Sequence, residues 1–393
     1  MTAPVRVWLN RTYAENVFFI DLLRAAPRPV HVLATHVDPD SPVLAAADLG
    51  ALEPDGLSAE GYVEFALEFC ARHDVDVFLP RLHQLAISLR RRDFEALGTA
   101  LVCPPAPAIS LFTSKADGYR ALDAAGLPTP LWRQADTAAD LLAAVEEIEA
   151  TGMTACLKPA SGAGGEGFRV LTREPFHLGR LSGYVDTRVQ LDQVLGALER
   201  SAAPAELLVM PYLDGPEVSV DCLAEQGGRV LAAVGRTKQG RRRGFTVDPA
   251  YLGPARRLVE EFGVGHLSNV QFRHERGTGR PVVLDVNTRP SGGLHQLRLC
   301  GLNLPAAAVE LALGNRPSLP AAEELTLGDY TLVSTIQAVL PRQAAAPALE
   351  RIGGVGGIGG GVGVGGIGGG VGGIGGGVNG VGGLGARLLP AAG

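Results

Sequence analysis

The sequence of 393 residues predicts an α/β amino-terminal domain, then an α+β domain, then a disordered glycine-rich tail. In the first domain, short apolar runs alternate with helical patterns, which is typical of a mainly parallel sheet covered by helices. In the second domain, five apolar runs read as strands of a mixed or antiparallel sheet. In the tail, the heptamer GGIGGGV recurs three times. The predicted boundaries are 1–104 for the first domain, 105–320 for the second, 321–350 for an extension and 351–393 for the tail.

The amino-terminal domain is predicted from the succession of its elements. Strands are expected over 5–9, 30–35 and 75–80, with helices over 14–25 and 59–73 between them. The turn after the first strand, residues 10–13, lacks the glycines that a dinucleotide pyrophosphate needs, which argues against NAD.

The second domain begins with a helix predicted over 114–125. Ser114 caps its free amides, Asp117 completes a capping box, and Gly126 ends the helix. A second helix is expected next, followed by a strand that ends at Lys158, a glycine loop and a short strand in a hairpin arrangement. The second helix is predicted over 137–150, and the strands over 168–171, 207–210, 217–224, 229–234, 269–273 and 282–287.

Composition and charge exclude several classes of protein. The formal net charge of -6 argues against a nucleic-acid binder, because binding to a phosphate backbone needs a broad basic surface. The five cysteines show no CxxC pair and no zinc-ligand spacing, which fits a reducing compartment. We see no secretion signal and no stretch apolar enough to span a membrane, so a cytoplasmic protein without membrane contact is expected. The oligomeric state stays open, with a homo-oligomer as one option.

Lysine is rare in this chain and marks candidate phosphate contacts. Of 35 lysine and arginine residues together, only three are lysine, namely Lys115, Lys158 and Lys238. A compact ammonium on a flexible stem reaches one phosphate as a point charge, which a planar guanidinium does not. These positions therefore indicate a nucleotide.

A glycine loop follows Lys158 within four residues and contains Gly162, Gly164, Gly165 and Gly167. Its spacing matches a dinucleotide fingerprint, but the residues after it alternate and predict a strand where that fingerprint requires a helix. Glycine amides approach anionic oxygens closely, so we interpret the loop as a flap over phosphates. The alternative is an ordinary glycine-rich turn.

Residues 208–217 are interpreted as a site for adenine and ribose. Backbone groups around Pro211 and Leu213 would contact the adenine edge, and Glu217 would accept hydrogen bonds from ribose hydroxyls. The alternative is that Glu217 is a solvated turn residue.

A metal site is predicted on the strand over 282–287. A period of two places Val283, Asp285 and Asn287 on one face of that strand. Together with Gln271 from the neighbouring strand, Asp285 and Asn287 supply the hard oxygen ligands that Mg²⁺ prefers. Arg289 follows at once and is the candidate catalytic residue, because it would stabilise charge on a transferring phosphate. Its alternative role is a surface arginine.

Taken in order, these residues resemble the ATP-grasp superfamily over about residues 1–315. The segments 269–272 and 285–289 are particularly similar to the carbamoyl phosphate synthetase and D-alanine ligase branches. The resemblance implies a pre-ATP-grasp domain and an ATP-grasp domain whose two subdomains clamp ATP, with a lid at about 130–205. It also implies that Lys115 and Lys158 contact the phosphates and that the glycine loop belongs to the lid. It further implies that Glu217 binds ribose, and that Gln271, Asp285 and Asn287 hold magnesium.

Two departures from the family pattern concern the metal and the adenine. Many members have glutamate at the position of Asp285, and a Glu-Lys pair at the positions of Met210 and Pro211. The shorter carboxylate bears on the number of metal ions, and the proline leaves only its carbonyl to contact adenine.

The function implied by the resemblance is an ATP-dependent ligase. Such an enzyme activates a carboxylate as an acyl phosphate and joins it to an amine, with release of ADP and phosphate. The loop with Lys238, Arg241 and Arg243 would hold the carboxylate, and Gly292 and Gly293 would line the acceptor site. Further substrate contacts from the first domain are expected at Arg81 and His83.

Two other functions stay open at this point. The first is an ATP-dependent phosphotransferase that acts on a small molecule. The second is a non-catalytic, ATP-binding scaffold whose glycine-rich tail drives assembly.

Deletion of residues 351–393 is expected to leave ATP turnover near that of the full chain. Glycine with isolated valine and isoleucine builds no core that a catalytic site could use. Steady-state ADP release by the two proteins checks this. Lost turnover in a deleted protein that still folds would place the tail in the site.

Overall fold

The computed structural model describes residues 3–162, 165–181 and 187–331. Within these ranges the chain forms three sheets and eleven α-helices. No helix in this part of the chain is both long and apolar enough to cross a membrane. The predicted disordered tail at 351–393 lies outside the described residues, and so does the predicted extension after residue 331. The predicted domain boundaries stay a prediction.

The amino-terminal sheet is parallel throughout, as the βαβ alternation predicted. Its spatial order is β3-β2-β1-β4-β5. The predicted first helix is shorter than expected, because residues Ala14–Asn16 form a 3-10 turn before it. The strands are β1 (Val5–Asn10), β2 (Val30–His36), β3 (Leu49–Leu52), β4 (Val77–Leu79) and β5 (Ala100–Leu101). The helices are α1 (Val17–Arg24), α2 (Pro42–Ala46), α3 (Ala59–Arg72), α4 (Gln84–Leu89), α5 (Arg91–Ala96) and α6 (Ala106–Thr113).

Apolar side chains pack on this sheet from two separate clusters. In one cluster the ring of Trp8 lies 3.9 Å from that of Phe78 and 4.4 Å from that of Phe69, all fully buried. In the other, Val7 packs with α1 and with Leu294, which follows the strand Pro281–Asn287. This second cluster attaches the amino-terminal sheet to the part of the chain that carries Arg289.

A polar network is buried where the first strands end. The fully buried carboxylate of Glu53 accepts a hydrogen bond from the Tyr62 hydroxyl at 2.7 Å and another from Arg11. Asn10 donates to the Tyr62 hydroxyl at 2.9 Å and accepts from the backbone N–H of Arg81 at 2.5 Å. Buried polar groups need such partners, and here they fix the ends of β1 and β4 relative to each other.

The second sheet contains Lys158 and the strands on either side of the glycine loop. Its order is β6-β10-β7-β8-β9, and β7 pairs with β8 in the predicted antiparallel sense. Helix α7 begins after the Ser114 cap, and Thr137 and Asp140 form a capping box at the start of α8. The strands are β6 (Arg133–Ala135), β7 (Ala155–Pro159), β8 (Arg169–Thr172), β9 (Arg188–Gln190) and β10 (Leu207–Pro211). The helices are α7 (Lys115–Ala124), α8 (Ala138–Ala150) and α9 (Leu191–Arg200).

The third sheet is antiparallel, with the order β15-β14-β11-β12-β13-β16. Its strands are β11 (Glu217–Ala224), β12 (Val230–Gln239), β13 (Arg242–Thr246), β14 (His266–His274), β15 (Pro281–Asn287) and β16 (Asp329–Thr331). Helices α10 (Pro249–Glu261) and α11 (Leu304–Ala312) accompany it, and a 3-10 segment (Leu294–Cys300) follows β15.

One face of the third sheet is apolar, and the other is polar along part of its length. Val218, Val220 and Cys222 of β11 lie in a core cluster together with buried residues of α10. The intervening residues of β11 therefore lie on the opposite face, since side chains alternate along a strand. From the pairing register, that face carries Glu217, Ser219 and Asp221 of β11, Arg236 and Lys238 of β12, Arg243 of β13, Asn269, Gln271 and Arg273 of β14, and Asp285 and Asn287 of β15.

We expect Tyr62→Phe to lower the free energy of unfolding by about 1–3 kcal/mol, because it removes a buried hydroxyl that serves both Glu53 and Asn10. Chemical denaturation measures the change. Tyr13→Phe, at a residue that is 64% exposed, is the matched control and should change the value by less than about 0.5 kcal/mol. Equal stabilities of the two variants would contradict the role of the network.

Candidate active site

The second and third sheets meet at the carbonyl oxygen of Leu284. Lys158 on β7 donates to this oxygen from Nζ at 3.3 Å, and the Tyr119 hydroxyl on α7 donates to it at 2.7 Å. Lys115, the first residue of α7, donates from Nζ to the carbonyl of Gly162 and from its backbone N–H to Ala160 at 2.8 Å. Both predicted phosphate lysines are thereby held next to β15.

Lys115 and Asp285 are close enough to Lys158 to influence its charge. Burial lowers the pKa of Lys158, Asp285 opposes that lowering, and Lys115 adds to it. Lys115 and Asp285 also line one small cavity of about 20 Å³ between α7 and β15. Two ammonium groups and a carboxylate from distant stretches of chain thus converge, and an anion bound here would relieve the repulsion between the lysines.

The described part of the glycine loop uses backbone conformations that favour glycine. Gly162, Gly165 and Gly167 have φ angles of +108°, +77° and +69°. At Gly167 a Cβ atom would also lie 2.6 Å from Cδ of Pro159, so no other residue fits without movement. Gly164 lies outside the described residues.

The predicted metal ligands share one face, but the reason differs from the one predicted. Gln271 pairs with Asp285, whereas its neighbour Phe272 pairs with Val283, so the ladder contains a bulge at Leu284. The prediction that Val283 lies on the same face as Asp285 is therefore wrong. Val283 is fully buried in the apolar core, because the extra residue reverses the alternation.

The oxygen donors on this face fit a magnesium ion better than a transition metal. Asn287 donates from Nδ2 to Oδ2 of Asp285 at 3.4 Å, and Gln271 lies directly opposite Asp285. No group of three His, Cys, Asp or Glu residues suited to a metal occurs among the described residues. One carboxylate with two amide oxygens suits an ion that keeps waters and bridges phosphates.

At the predicted adenosine end, the candidate groups already have partners within the protein. Glu217 accepts hydrogen bonds from Lys238 and from Arg273, both at 3.2 Å, and the carbonyl of Leu213 accepts from Arg273 at 2.8 Å. Burial acts to raise the pKa of Glu217, but the two cations outweigh it, so this pKa lies below its usual value. Pro211 is buried at the end of β10.

The residues of the predicted substrate loop lie on β12, on β13 and in the turn between these strands. Lys238 is engaged with Glu217 rather than standing alone. Arg243 donates to the carbonyl oxygens of Gly240 at 2.6 Å and Arg242 at 2.8 Å; burial and Arg236 lower its pKa. Arg241 is exposed.

Arg236, which lies within β12, belongs to a buried network. It donates from Nε to Asp221 at 2.6 Å and from Nη2 to the Ser291 hydroxyl at 2.6 Å. Ser291 and the amide of Asn269 both donate to Oδ1 of Asp221, at 2.9 and 2.8 Å. The side chain of Asp221 is fully buried and that of Arg236 is 8% exposed. The network thereby ties the loop after β15 to the centre of the third sheet.

The predicted acceptor residues lie in that tied loop. A Cβ atom on Gly293 would lie 2.4 Å from Nη1 of Arg236, so any other residue there would displace this guanidinium, whereas Gly292 is exposed with open space around it. Arg289 is half-buried and interacts electrostatically with Arg81, whose Nη1 donates to the carbonyl of Pro290 at 2.9 Å. His83 lies nearby after β4, in the left-handed region at φ +53°.

Sequence reasoning missed Asp221, Arg273 and Tyr119. The regular alternation of polar and apolar residues from Glu217 to Cys222 could have placed Asp221 on the face of Glu217. The same alternation on β14 could have placed Arg273 with Gln271. No sequence signal marks Tyr119, since its contact is made across 165 positions of the chain.

Asp221→Asn is expected to destabilise the protein by about 3–5 kcal/mol, because it leaves the guanidinium of Arg236 buried without an opposite charge. Thermal and chemical denaturation measure this loss. Asp214→Asn removes an exposed partner of Arg276 at 3.6 Å and should have little effect. A comparable loss in both variants would show that burial of the pair is not what matters.

Comparison with known proteins agrees with this geometry. Residues 203–330 match a family described as ATP-grasp in the biosynthetic pathway with Ter operon. The uncharacterized protein y4rH of Sinorhizobium fredii is 29% identical over 250 residues, which cover 59% of this chain and 48% of y4rH. A D-alanine–D-alanine ligase of Xylella fastidiosa is 26% identical over 209 residues, which cover 49% of this chain and 60% of that protein. The chain thus spans about half the length of the curated relatives it matches.

The fold itself matches a solved structure. The biotin carboxylase domain of the 2-oxoglutarate carboxylase from Hydrogenobacter thermophilus, in complex with MgADP, ADP and bicarbonate, superposes with a TM-score of 0.59 at 17% identity. The match covers 84% of this chain and 74% of that one, and it shows a shared fold. Family match, relatives and fold agree, and they show that the chain is similar to ATP-grasp proteins.

Proposed function

We propose that the protein is an ADP-forming ligase that activates a carboxylate as an acyl phosphate and joins it to an amine. The observation that carries this proposal is that Lys158 donates to the carbonyl of Leu284, next to Asp285, while Asp285 and Lys115 line one small cavity. Ammonium groups contact phosphate oxygens, and a carboxylate holds a divalent ion against them, so this set suits the phosphates of ATP.

The chemistry proceeds in two displacements. A carboxylate oxygen attacks the γ-phosphorus and ADP leaves; the amine nitrogen then attacks the acyl carbon, phosphate leaves, and the nitrogen loses a proton to solvent. No protein nucleophile is needed, since positioning and electrostatic stabilisation lower both barriers. The cysteines fit this scheme, because all five are buried and burial raises the pKa of each, to about 12 for Cys70, Cys156 and Cys222.

Each predicted nucleotide contact keeps its proposed role. Lys115 and Lys158 bind phosphate oxygens, and Glu217 binds ribose beside the adenine contacts of Pro211 and Leu213. The glycine loop closes over the phosphates through backbone amides, and its members are Gly162, Gly164, Gly165 and Gly167. Because Lys238 and Arg273 hold the Glu217 carboxylate from both sides, its oxygens are oriented before a ribose arrives.

Magnesium would be held by Asp285, Asn287 and Gln271, where it would neutralise phosphate charge. Arg289 lies two residues beyond Asn287 and would stabilise the charge that develops on the transferred phosphoryl group. The substrate carboxylate would approach along the polar face of the third sheet, where Arg243, Lys238 and the exposed Arg241 supply positive charge. Gly292 and Gly293 would border the acceptor amine.

The relatives support the general reaction. The D-alanine–D-alanine ligase is named as a ligase, and the carboxylase domain is a complex with MgADP. An ATP-dependent ligase with bound magnesium is the function that this likeness and the site geometry favour together.

Lys158→Ala and Asp285→Ala are each expected to reduce ATP turnover about 100-fold or more, since the first removes a cation that contacts the phosphates and the second removes a ligand of magnesium. ADP release with Mg²⁺ present measures turnover, and circular dichroism confirms that the variants fold. Arg92→Gln, an exposed residue on α5, is the control with an equal change of charge to Lys158→Ala. Turnover at the control level in either alanine variant would remove these residues from the site.

A screen of amino acids and small carboxylates for substrate-dependent ADP release identifies the reaction. For a ligase we expect an amide product, one phosphate per ADP, and trapping of a hydroxamate when hydroxylamine replaces the amine. A phosphorylated product without hydroxamate would point to a phosphotransferase. ATP binding without turnover on any substrate would point to a scaffold.

A further inference from the structure

Another concentration of positive charge lies where the amino-terminal sheet faces the loop after β15. The strand order reverses direction beside β1, because β2 and β3 lie on one side of it and β4 and β5 on the other. In open parallel sheets, ligands bind outside the carboxyl ends of the strands at such a point. Asn10 ends β1 there, and Arg81 follows β4 by two residues.

Arg81 is held in this crevice by contacts from two distant parts of the chain. Its backbone N–H donates to Oδ1 of Asn10 at 2.5 Å, and its Nη1 donates to the carbonyl of Pro290 at 2.9 Å. Asn10 is fully buried and is fixed in turn by the Tyr62 hydroxyl. The guanidinium is therefore positioned beside the residue that follows Arg289, and its Nε and Nη2 make no hydrogen bond within the described ranges.

No acid balances these two arginines within the part of the chain that the structure describes. Arg81 forms no ion pair there, and the Arg289 side chain forms neither an ion pair nor a hydrogen bond. Burial lowers the pKa of Arg81 to about 9, with Arg289 adding to the effect and Tyr13 opposing it. Arg236, in contrast, is buried against Asp221. Both guanidinium groups are half-buried and positive, so the pair is arranged for an anion that comes from outside the chain.

A neutral donor lies at the same strand end. The hydroxyl of Thr12, two residues beyond Asn10, is buried and has no hydrogen-bond partner among the described residues. Buried hydroxyls in folded proteins almost always have a partner. Its unpaired state adds a second, independent indication that a polar ligand completes this region.

We propose that Arg81 and Arg289 form a subsite for a second anionic group of the substrate, a carboxylate or a phosphate, in addition to the carboxylate that is activated. The inference rests on the proposed function, because it concerns the same active site. Arg289 faces the transferring phosphate in that proposal, while Arg81 approaches from the amino-terminal sheet. Guanidinium groups recognise carboxylate and phosphate alike through paired N–H donors. Substrates with one negative charge would leave Arg81 unpaired, so the subsite selects for dianions.

Binding of matched anions tests the subsite without requiring turnover. The protein saturated with MgADP is titrated calorimetrically with propionate, with malonate, succinate and glutarate, and with 3-phosphonopropionate. We expect at least one dianion to bind the native protein tenfold or more tightly than propionate. Arg81→Gln should abolish that preference, while Arg92→Gln, which removes an exposed charge in the same domain, should keep it. A preference for 3-phosphonopropionate over the dicarboxylates identifies phosphate as the group recognised, and the reverse identifies carboxylate.

The proposal is overturned if no dianion is preferred, or if the preference survives Arg81→Gln. If Arg81→Gln does not fold, Arg81→Lys replaces it, because this variant keeps the charge but loses the paired donors. Weaker dianion binding by Arg81→Lys supports the subsite, and unchanged binding rejects it. Failure of the ligase function gives a different result, namely Arg81-dependent dianion binding without ADP release on any carboxylate. Turnover of a dianionic substrate that is unaffected by Arg81→Gln would reject the subsite and keep the ligase.

Discussion

One extra residue in β15 is the constraint on which the proposed site depends. Leu284 is a bulge in the ladder with β14, and a bulged residue is left without a strand partner. Its carbonyl oxygen accepts from Lys158 and Tyr119, which joins the second sheet to the third. The same irregularity turns Val283 into the apolar core and Asp285 to the polar face. In a regular strand, either the Leu284 carbonyl would lose its contact with Lys158 or the Asp285 carboxylate would leave the polar face.

The charged residues around the proposed site fall into two groups: those that form an ion pair within the part of the protein that the structure describes and those that do not. Asp221 with Arg236, and Glu217 with Lys238 and Arg273, are closed within the third sheet and hold its loops in place. Lys115 and Lys158 repel each other beside a single carboxylate, and Arg81 and Arg289 are both without an acid among the described residues. The first group stabilises the scaffold. The second is arranged for anionic ligands, because like charges held close together repel each other until an opposite charge arrives.

Much of this was readable from local sequence patterns. Strand and helix positions followed from periodicity. The rarity of lysine singled out Lys115 on α7 and Lys158 on β7, which the fold places near β15. Alternation on β11 and β14 also places Asp221 and Arg273 on the polar face. The partners of Glu217 and the engagement of Lys238 were not foreseen, since cross-strand neighbours depend on register, which a single strand does not reveal.

By itself the sequence determined the elements, the amphipathic faces and the chemical types of residue available for a site, because these depend on interactions between residues a few positions apart. Only the tertiary structure decided which charges are paired and which are left over. The bulge at Leu284, the contact of Arg81 with Pro290 and the closeness of Arg81 to Arg289 each depend on packing between segments far apart in the chain. No local pattern encodes such distances, since they result from how three sheets settle against one another.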